Sequence, residues 1–140
     1  MDQTNIVLCM NLDTFLIDMN LKQAQTAGIA PWDDQVDDLG KTVVYIDRYP
    51  CTPGHRLYVP KDSDNANCTV QAMEDALAYG NQMVGDGQWG GFNIGYNSGE
   101  AAGQTVMYPH VHLIPRRQGD VDDPVGGVRN TIPGKGNYKK

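Results

Sequence analysis

Hydrophobic and polar positions along the 140-residue chain follow two different periods, and the changes of period mark out its elements. Leu12, Phe15, Leu16 and Met19 recur at helical spacing with polar residues between them, which predicts a short amphipathic helix within residues 11–25. The stretch from Gly28 to Gly40, with Pro31 and four aspartates, is expected to be loop. Thr42-Val43-Val44-Tyr45-Ile46-Asp47 is β-branched and aromatic, and Pro50 stops it, so it reads as a strand. Pro53-Gly54 makes a turn into Arg56–Pro60, and the two strands form a hairpin. Polar residues 62–67 approach a helix with Asn67 or Thr69 as its N-cap. Val70, Met73, Leu77, Tyr79, Met83 and Val84 give that helix its apolar spacing, and Gly85-Asp86-Gly87 ends it. Gly91–Asn97 and Thr105–Ile114 supply two further strands around a turn at 98–103, and extended loop follows Pro115. The expectation is an α+β fold: an antiparallel sheet with one main helix and a shorter N-terminal one. No repeat or linker divides it, so residues 1–140 are read as one domain.

Composition narrows the function classes. No apolar run approaches the roughly 20 residues that span a bilayer, and Met1–Asn5 lacks the basic region of a secretory leader. A cytoplasmic location without membrane contact is therefore expected. Cys9, Cys51 and Cys68 are odd in number and make no Cys-x-x-Cys pair, so they are expected to be buried, inert thiols. From Arg116 onward six cations face three acids, a net of +3, which leaves −9 on the rest of a chain totalling −6. That balance opposes stable binding of nucleic acid, which needs clustered cations. A basic tail on an acidic body can steer small anions, or can simply solubilise a terminus.

The candidate chemistry lies with three histidines, His55, His110 and His112. If residues 105–114 form a strand, Val106, Tyr108, His110, His112 and Ile114 share one face, while Met107, Pro109, Val111 and Leu113 face the core. Two imidazoles about 6–7 Å apart then stand side by side, and imidazole serves as nucleophile, proton carrier or metal ligand near neutral pH. The turn Gly99–Thr105 brings glycines and short polar side chains to the start of that strand, as an anion cradle or an ordinary hairpin loop.

Taken together, Asn93–Val106, the His-x-His strand and Ile114-Pro115-Arg116 resemble the signature half of the histidine-triad (HIT) family. Upstream, Ile46–Lys61 is similar to the family's hairpin that carries Pro-Gly-His and then Val-Pro-Lys. Downstream, Gly119-Asp120-Val121 and Gly126–Arg129 resemble the tail of bacterial-type members. The likeness covers roughly residues 42–138, and residues 1–40 match nothing placed.

The resemblance implies a nucleotide hydrolase or nucleotidyl transferase. His110 would attack the α-phosphorus of a phosphoanhydride or phosphoramidate, for example a diadenosine polyphosphate, to give a nucleotidyl-histidine that water cleaves. His112 would donate to a phosphate oxygen or the leaving group. Gln104 and Thr105 would hold the α-phosphate, Asp47 the ribose hydroxyls and Asn97 another part of the nucleotide. His55 would support the triad from behind. The first triad position is Tyr108, followed by Pro109. Its backbone carbonyl can still orient the nucleophile, and the related galactose-1-phosphate uridylyltransferases also place proline before theirs. Activity is expected to persist at a reduced rate. Many relatives hold zinc through an N-terminal Cys-x-x-Cys pair. Only Cys9 stands there, so no structural zinc and no cofactor are expected. Members usually form homodimers by joining their sheets. Two other readings stay open: a nucleotide-binding module with little turnover, and a metal-dependent hydrolase with His55, His110 and His112 on one ion.

Overall fold

The protein is seen here as a computed structural model that describes residues 19–63 and 66–140. Helix α1 (Leu21–Thr26) opens on Asn20. The Asn20 side chain accepts the Gln23 amide at 2.8 Å and the Gln23 side chain accepts the Asn20 amide at 2.9 Å, a reciprocal cap. Residues 11–18 of the predicted N-terminal helix lie outside the described residues, so only its end can be compared.

The expected loop at 28–40 contains a strand, β1 (Gln35–Asp38). All four of its residues are exposed, so neither face is buried and no alternation marks it in the sequence. Its backbone ladder with the neighbouring strand makes it, and Asp38 ties it to Lys61 Nζ at 3.0 Å. The predicted hairpin forms from β2 (Thr42–Ile46) and β3 (Arg56–Pro60), with Val43 opposite Val59 and Tyr45 opposite Leu57. Gly54 at φ +91° makes the return.

Helix α2 (Ala66–Gly85) begins ahead of both expected caps, so Asn67 and Thr69 lie inside it. It ends at Gly85 with Gly87 left-handed at φ +74°, as the glycine pair predicted. Strand β4 (Gly91–Tyr96) matches expectation, whereas the last strand, β5, spans Val111–Arg116 and not 105–114. The five strands are antiparallel in the order β1-β2-β3-β5-β4, so β5 enters between the hairpin and β4.

The sheet separates two cores. On one face, α2 covers Val44, Tyr58, Val111 and Leu113. The residues it buries there are Ala72, Ala76 and Gly80, four apart, with Met73, Tyr79 and Met83 at the edges. Val70, Leu77 and Val84 were expected inward and are instead between a third and a half exposed. Close approach explains the reversal, because small residues let the helix lie nearly on the sheet and leave the larger side chains outside. On the other face, α1, Ala30 and Tyr108 cover Val43, Tyr45, Leu57 and Val59 at one end only. The expectation of buried thiols is also corrected: Cys51 is exposed and Cys68 half-buried, while Cys9 lies outside the described residues.

Gly80 is the tightest point under α2, since a Cβ there would meet three ring carbons of Phe92 at 2.8 Å. Gly80→Val gains about 0.4 kcal/mol of helix propensity but overpacks at a cost of about 2 kcal/mol. The variant is therefore expected to unfold at lower urea. An unchanged or higher midpoint would contradict this packing.

Candidate functional site

The uncovered end of the second face is a cavity of about 400 Å³. Its lining includes Ile46, Asp47, Asn97, Thr105, His110 and His112. Five of the eight residues picked out from sequence thus meet in one place, from the ends of β2 and β4, the turn after β4, and β5 with its approach.

That approach is not strand, for reasons visible in three side chains. Gln104 is buried and turns inward: its oxygen accepts the Gly99 amide at 2.7 Å, and its nitrogen donates to the Val106 and Met107 carbonyls at 3.1 Å each. Gln104, expected on the phosphate, is therefore a brace within the turn, and Thr105 is the residue that faces the cavity. Pro109 has no amide for a ladder. Tyr108 leaves the expected histidine face altogether. It is fully buried in the core beside α1, and its hydroxyl donates to the Pro60 carbonyl at 2.7 Å. The expected alternation holds from Val111 onward, with Val111, Leu113 and Pro115 buried and His112, Ile114 and Arg116 half-buried.

The imidazoles are oriented by a set of bonds that fixes their protons. Nδ1 of His110 lies 2.8 Å from the Tyr108 carbonyl, an acceptor, so Nδ1 carries hydrogen and Nε2 keeps its lone pair. The Cys51 amide donates to His55 Nδ1 at 3.2 Å, so the His55 proton sits on Nε2. His55 Nε2 then donates to His112 Nδ1 at 2.9 Å, which places the His112 proton on Nε2. Asp47 Oδ2 lies 3.4 Å from that same His55 nitrogen, and Asp47 Oδ1 accepts the Tyr49 amide at 2.7 Å. His55 thus meets His112 at Nδ1, on the ring edge away from Nε2. The His110 and His112 rings are 5.1 Å apart.

These tautomers require neutral rings, and the surroundings supply that condition. Burial holds His110 and His55 below the ordinary imidazole value of 6.5, against an opposing pull from Asp47. Burial, then the neighbouring His110 and His55, lowers His112 to about 4. At pH 7 the cluster offers one bare nitrogen and one N–H.

Asp47, His55 and His112 also bring ligand atoms within 4.8 Å of one another, the one such grouping among the described residues. His110, which completed the three-histidine metal reading, is not in it. Two nitrogens on a tetrahedral zinc stand about 3.3 Å apart, given bonds of about 2.0–2.1 Å. The 2.9 Å contact between His55 and His112 suits a shared proton better than an ion.

Sequence reasoning missed the cavity's other wall. Trp32, Asp33, Arg48 and Tyr49 line it, and Arg48 pairs with Asp33 at 2.9 Å. A segment read as loop gave no sign that Trp32 would reach His110, 4.8 Å away between ring centres.

Depressed imidazoles tie stability to pH. The unfolded chain takes up protons near 6.5, while folded His112 resists until about 4, so its contribution is present above 6.5 and lost as pH falls through that window. The urea midpoint should decline across this range, and His112→Asn should flatten the slope. A slope identical in the variant would remove His112 from the account.

The fold and this geometry agree with known proteins. A family model described as HIT domain matches residues 33–119, more than half of the chain. An uncharacterized HIT-like protein of Borreliella burgdorferi is 32% identical over 92 residues, 60% of this chain and 65% of that protein. Adenylylsulfatase HINT3 of Arabidopsis thaliana is 32% identical over 81 residues, 54% of this chain and 41% of that protein. The chain thus spans less than two thirds of either relative. The crystal structure of a Hit-like protein from Bartonella henselae, described as involved in cell-cycle regulation, shares the fold. Its TM-score is 0.58 at 22% identity, over 74% of this chain and 83% of that one. With the histidine cluster on the open face of an antiparallel sheet and the family model across most of that sheet, the chain belongs to the HIT domain family.

Proposed function

We propose that the chain is a nucleotide hydrolase or nucleotidyl transferase acting at the α-phosphate of a phosphoanhydride or phosphoramidate through a nucleotidyl-His110 intermediate. The observation that carries this reading is the opposed protonation of two adjacent rings: a lone pair on His110 Nε2 and a proton on His112 Nε2. In the first step His110 Nε2 bonds to phosphorus as the bond to the leaving group breaks. The leaving atom departs held by a hydrogen bond from His112 Nε2 and takes its proton from solvent. Water then attacks phosphorus, its proton passes to solvent, and His110 departs with its lone pair restored. Splitting one displacement into two lowers each barrier.

Thr105 meets the phosphoryl oxygens, Asn97 another part of the nucleotide, and Asp47 the ribose hydroxyls with the carboxylate lone pairs that Tyr49 and His55 leave open. Gln104 acts through the shape of the turn. Tyr108 stands at the first histidine position of the triad, in a bacterial-type member. Its carbonyl does the orienting while its phenol serves the core, so the substitution leaves the chemistry in place. The adenylylsulfatase name of one relative supports nucleotidyl chemistry for the family. Residues 1–140 act as one domain, in the cytoplasm, as a homodimer and without a metal or other cofactor. The partner is a nucleotide and not a nucleic acid, in keeping with the net charge of −6.

Mass spectrometry of the quenched reaction with an adenosine 5′-phosphoramidate or a diadenosine polyphosphate tests the assignment. Wild type should carry a nucleotidyl adduct on His110, and His110→Ala should lose turnover by about 10⁴-fold or more. Equal rates in the two proteins would end the nucleophile assignment. Binding of AMP with no product from wild type would leave a binding module. Tyr108→Phe removes the bond to Pro60 and should cost about 1 kcal/mol of stability with kcat changed by no more than about twofold. A large fall in kcat would return the phenol to the chemistry.

A further inference from the structure

Among the described residues, His110 is tied to the protein by a hydrogen bond at one end only. The bond from Nδ1 to the Tyr108 carbonyl orients the ring about its link to the backbone, and the face of the ring is held by packing alone. The local backbone does not hold that face, since residues 104–110 precede β5 and Pro109 offers no amide. A contact on the ring face would keep that orientation from rocking while Nε2 faces the cavity.

Trp32 is placed to do so. Its ring centre lies 4.8 Å from that of His110, tilted by 56°. It also packs against two buried aromatic rings, Tyr45 at 6.1 Å and Tyr108 edge-on at 6.4 Å. Tyr45 is 2% exposed with its hydroxyl on Gln25 Nε2 at 2.7 Å, and Tyr108 is fully buried with its hydroxyl on Pro60. The Trp32 segment is itself held to the hairpin. The Ile46 amide donates to the Asp34 carbonyl at 2.9 Å, and Arg48 reaches across to Asp33 at 2.9 Å. Trp32 thus packs against Tyr45 and Tyr108 of the core and against the imidazole of His110.

We propose that Trp32 is a positioning residue for His110: it keeps the ring from rocking, holds Nε2 toward the cavity, and keeps water from the bond between Nδ1 and the Tyr108 carbonyl. Nucleotide contacts are not needed for this role. It rests on the reading of His110 as nucleophile for its kinetic consequence, but its structural consequence stands apart from turnover.

The experiment compares wild type, Trp32→Phe and Trp32→Ala in the full chain by two readouts. The first is the tautomer of His110 in nitrogen-detected NMR at neutral pH. A single Nδ1–H form is expected in wild type and in Trp32→Phe, and exchange-averaged ring nitrogens in Trp32→Ala. The second is single-turnover formation of the nucleotidyl adduct from an adenosine 5′-phosphoramidate, set beside AMP affinity by calorimetry. Trp32→Ala should slow adduct formation by roughly 100-fold, the scale of a misplacement near 1 Å, with AMP affinity changed by less than about threefold. Trp32→Phe should recover most of the rate. Val43→Ala, which loosens the same core without touching His110, should lower the melting temperature and leave both readouts at wild-type values. A fixed tautomer in Trp32→Ala would overturn the proposal. So would a rate loss matched by lost AMP affinity, which would make Trp32 a nucleotide wall. If wild type forms no adduct, the nucleophile reading fails, and the NMR arm alone still decides whether Trp32 sets the ring.

Discussion

The carbonyl of Tyr108 meets His110 while its phenol meets Pro60, and the site depends on that division. The phenol is fully buried between α1 and the hairpin, and its hydroxyl meets the Pro60 carbonyl at the end of β3. A buried tyrosine contributes a large apolar area only if its hydroxyl finds a partner, and this one does. Anchored there, the residue cannot continue the strand alternation backward from Val111, so its carbonyl is left facing His110. The core therefore sets the position of the acceptor that sets the tautomer of His110.

A second chain of bonds runs from the hairpin into the same cavity. The Cys51 amide fixes His55, His55 fixes His112, and Asp47 lies beside the shared nitrogen. Each link passes a proton direction and no net charge, which is why burial serves the site. A charged ring would have to donate from both nitrogens and would place two donors against each other somewhere along the line. Low basicity thus accompanies a defined hydrogen-bond order, and a neutral His110 is the form that can act as a nucleophile.

The strands between the two cores were legible. Thr42–Asp47 and Arg56–Pro60 were read within a residue of β2 and β3, because strands covered on both faces carry unbroken apolar and β-branched runs, and Gly91–Asn97 was read within a residue of β4. β1 was missed because both its faces meet solvent and only backbone bonds define it. Of the apolar set read on α2, Met73, Tyr79 and Met83 do pack on the core, but its centre is Ala72, Ala76 and Gly80, while Val70, Leu77 and Val84 are exposed. Close packing rewards small residues at a helix–sheet contact, and hydrophobic spacing does not register that. In the site, the Gln104 side chain bonds within its own turn, to carbonyls two and three residues away that no pattern reveals.

By itself the sequence determined the family and the α+β class, and it singled out Asp47, His55, His110 and His112 as candidates, since these follow from local motifs and the two-residue repeat of a strand. Tertiary structure alone decided which way each of them is used. The inward turn of Tyr108, the proton order along His55 and His112, and the approach of Trp32 to His110 all join residues far apart in the chain. Such contacts depend on how two cores are filled on opposite faces of one sheet, and packing of that kind leaves no period in the order of residues.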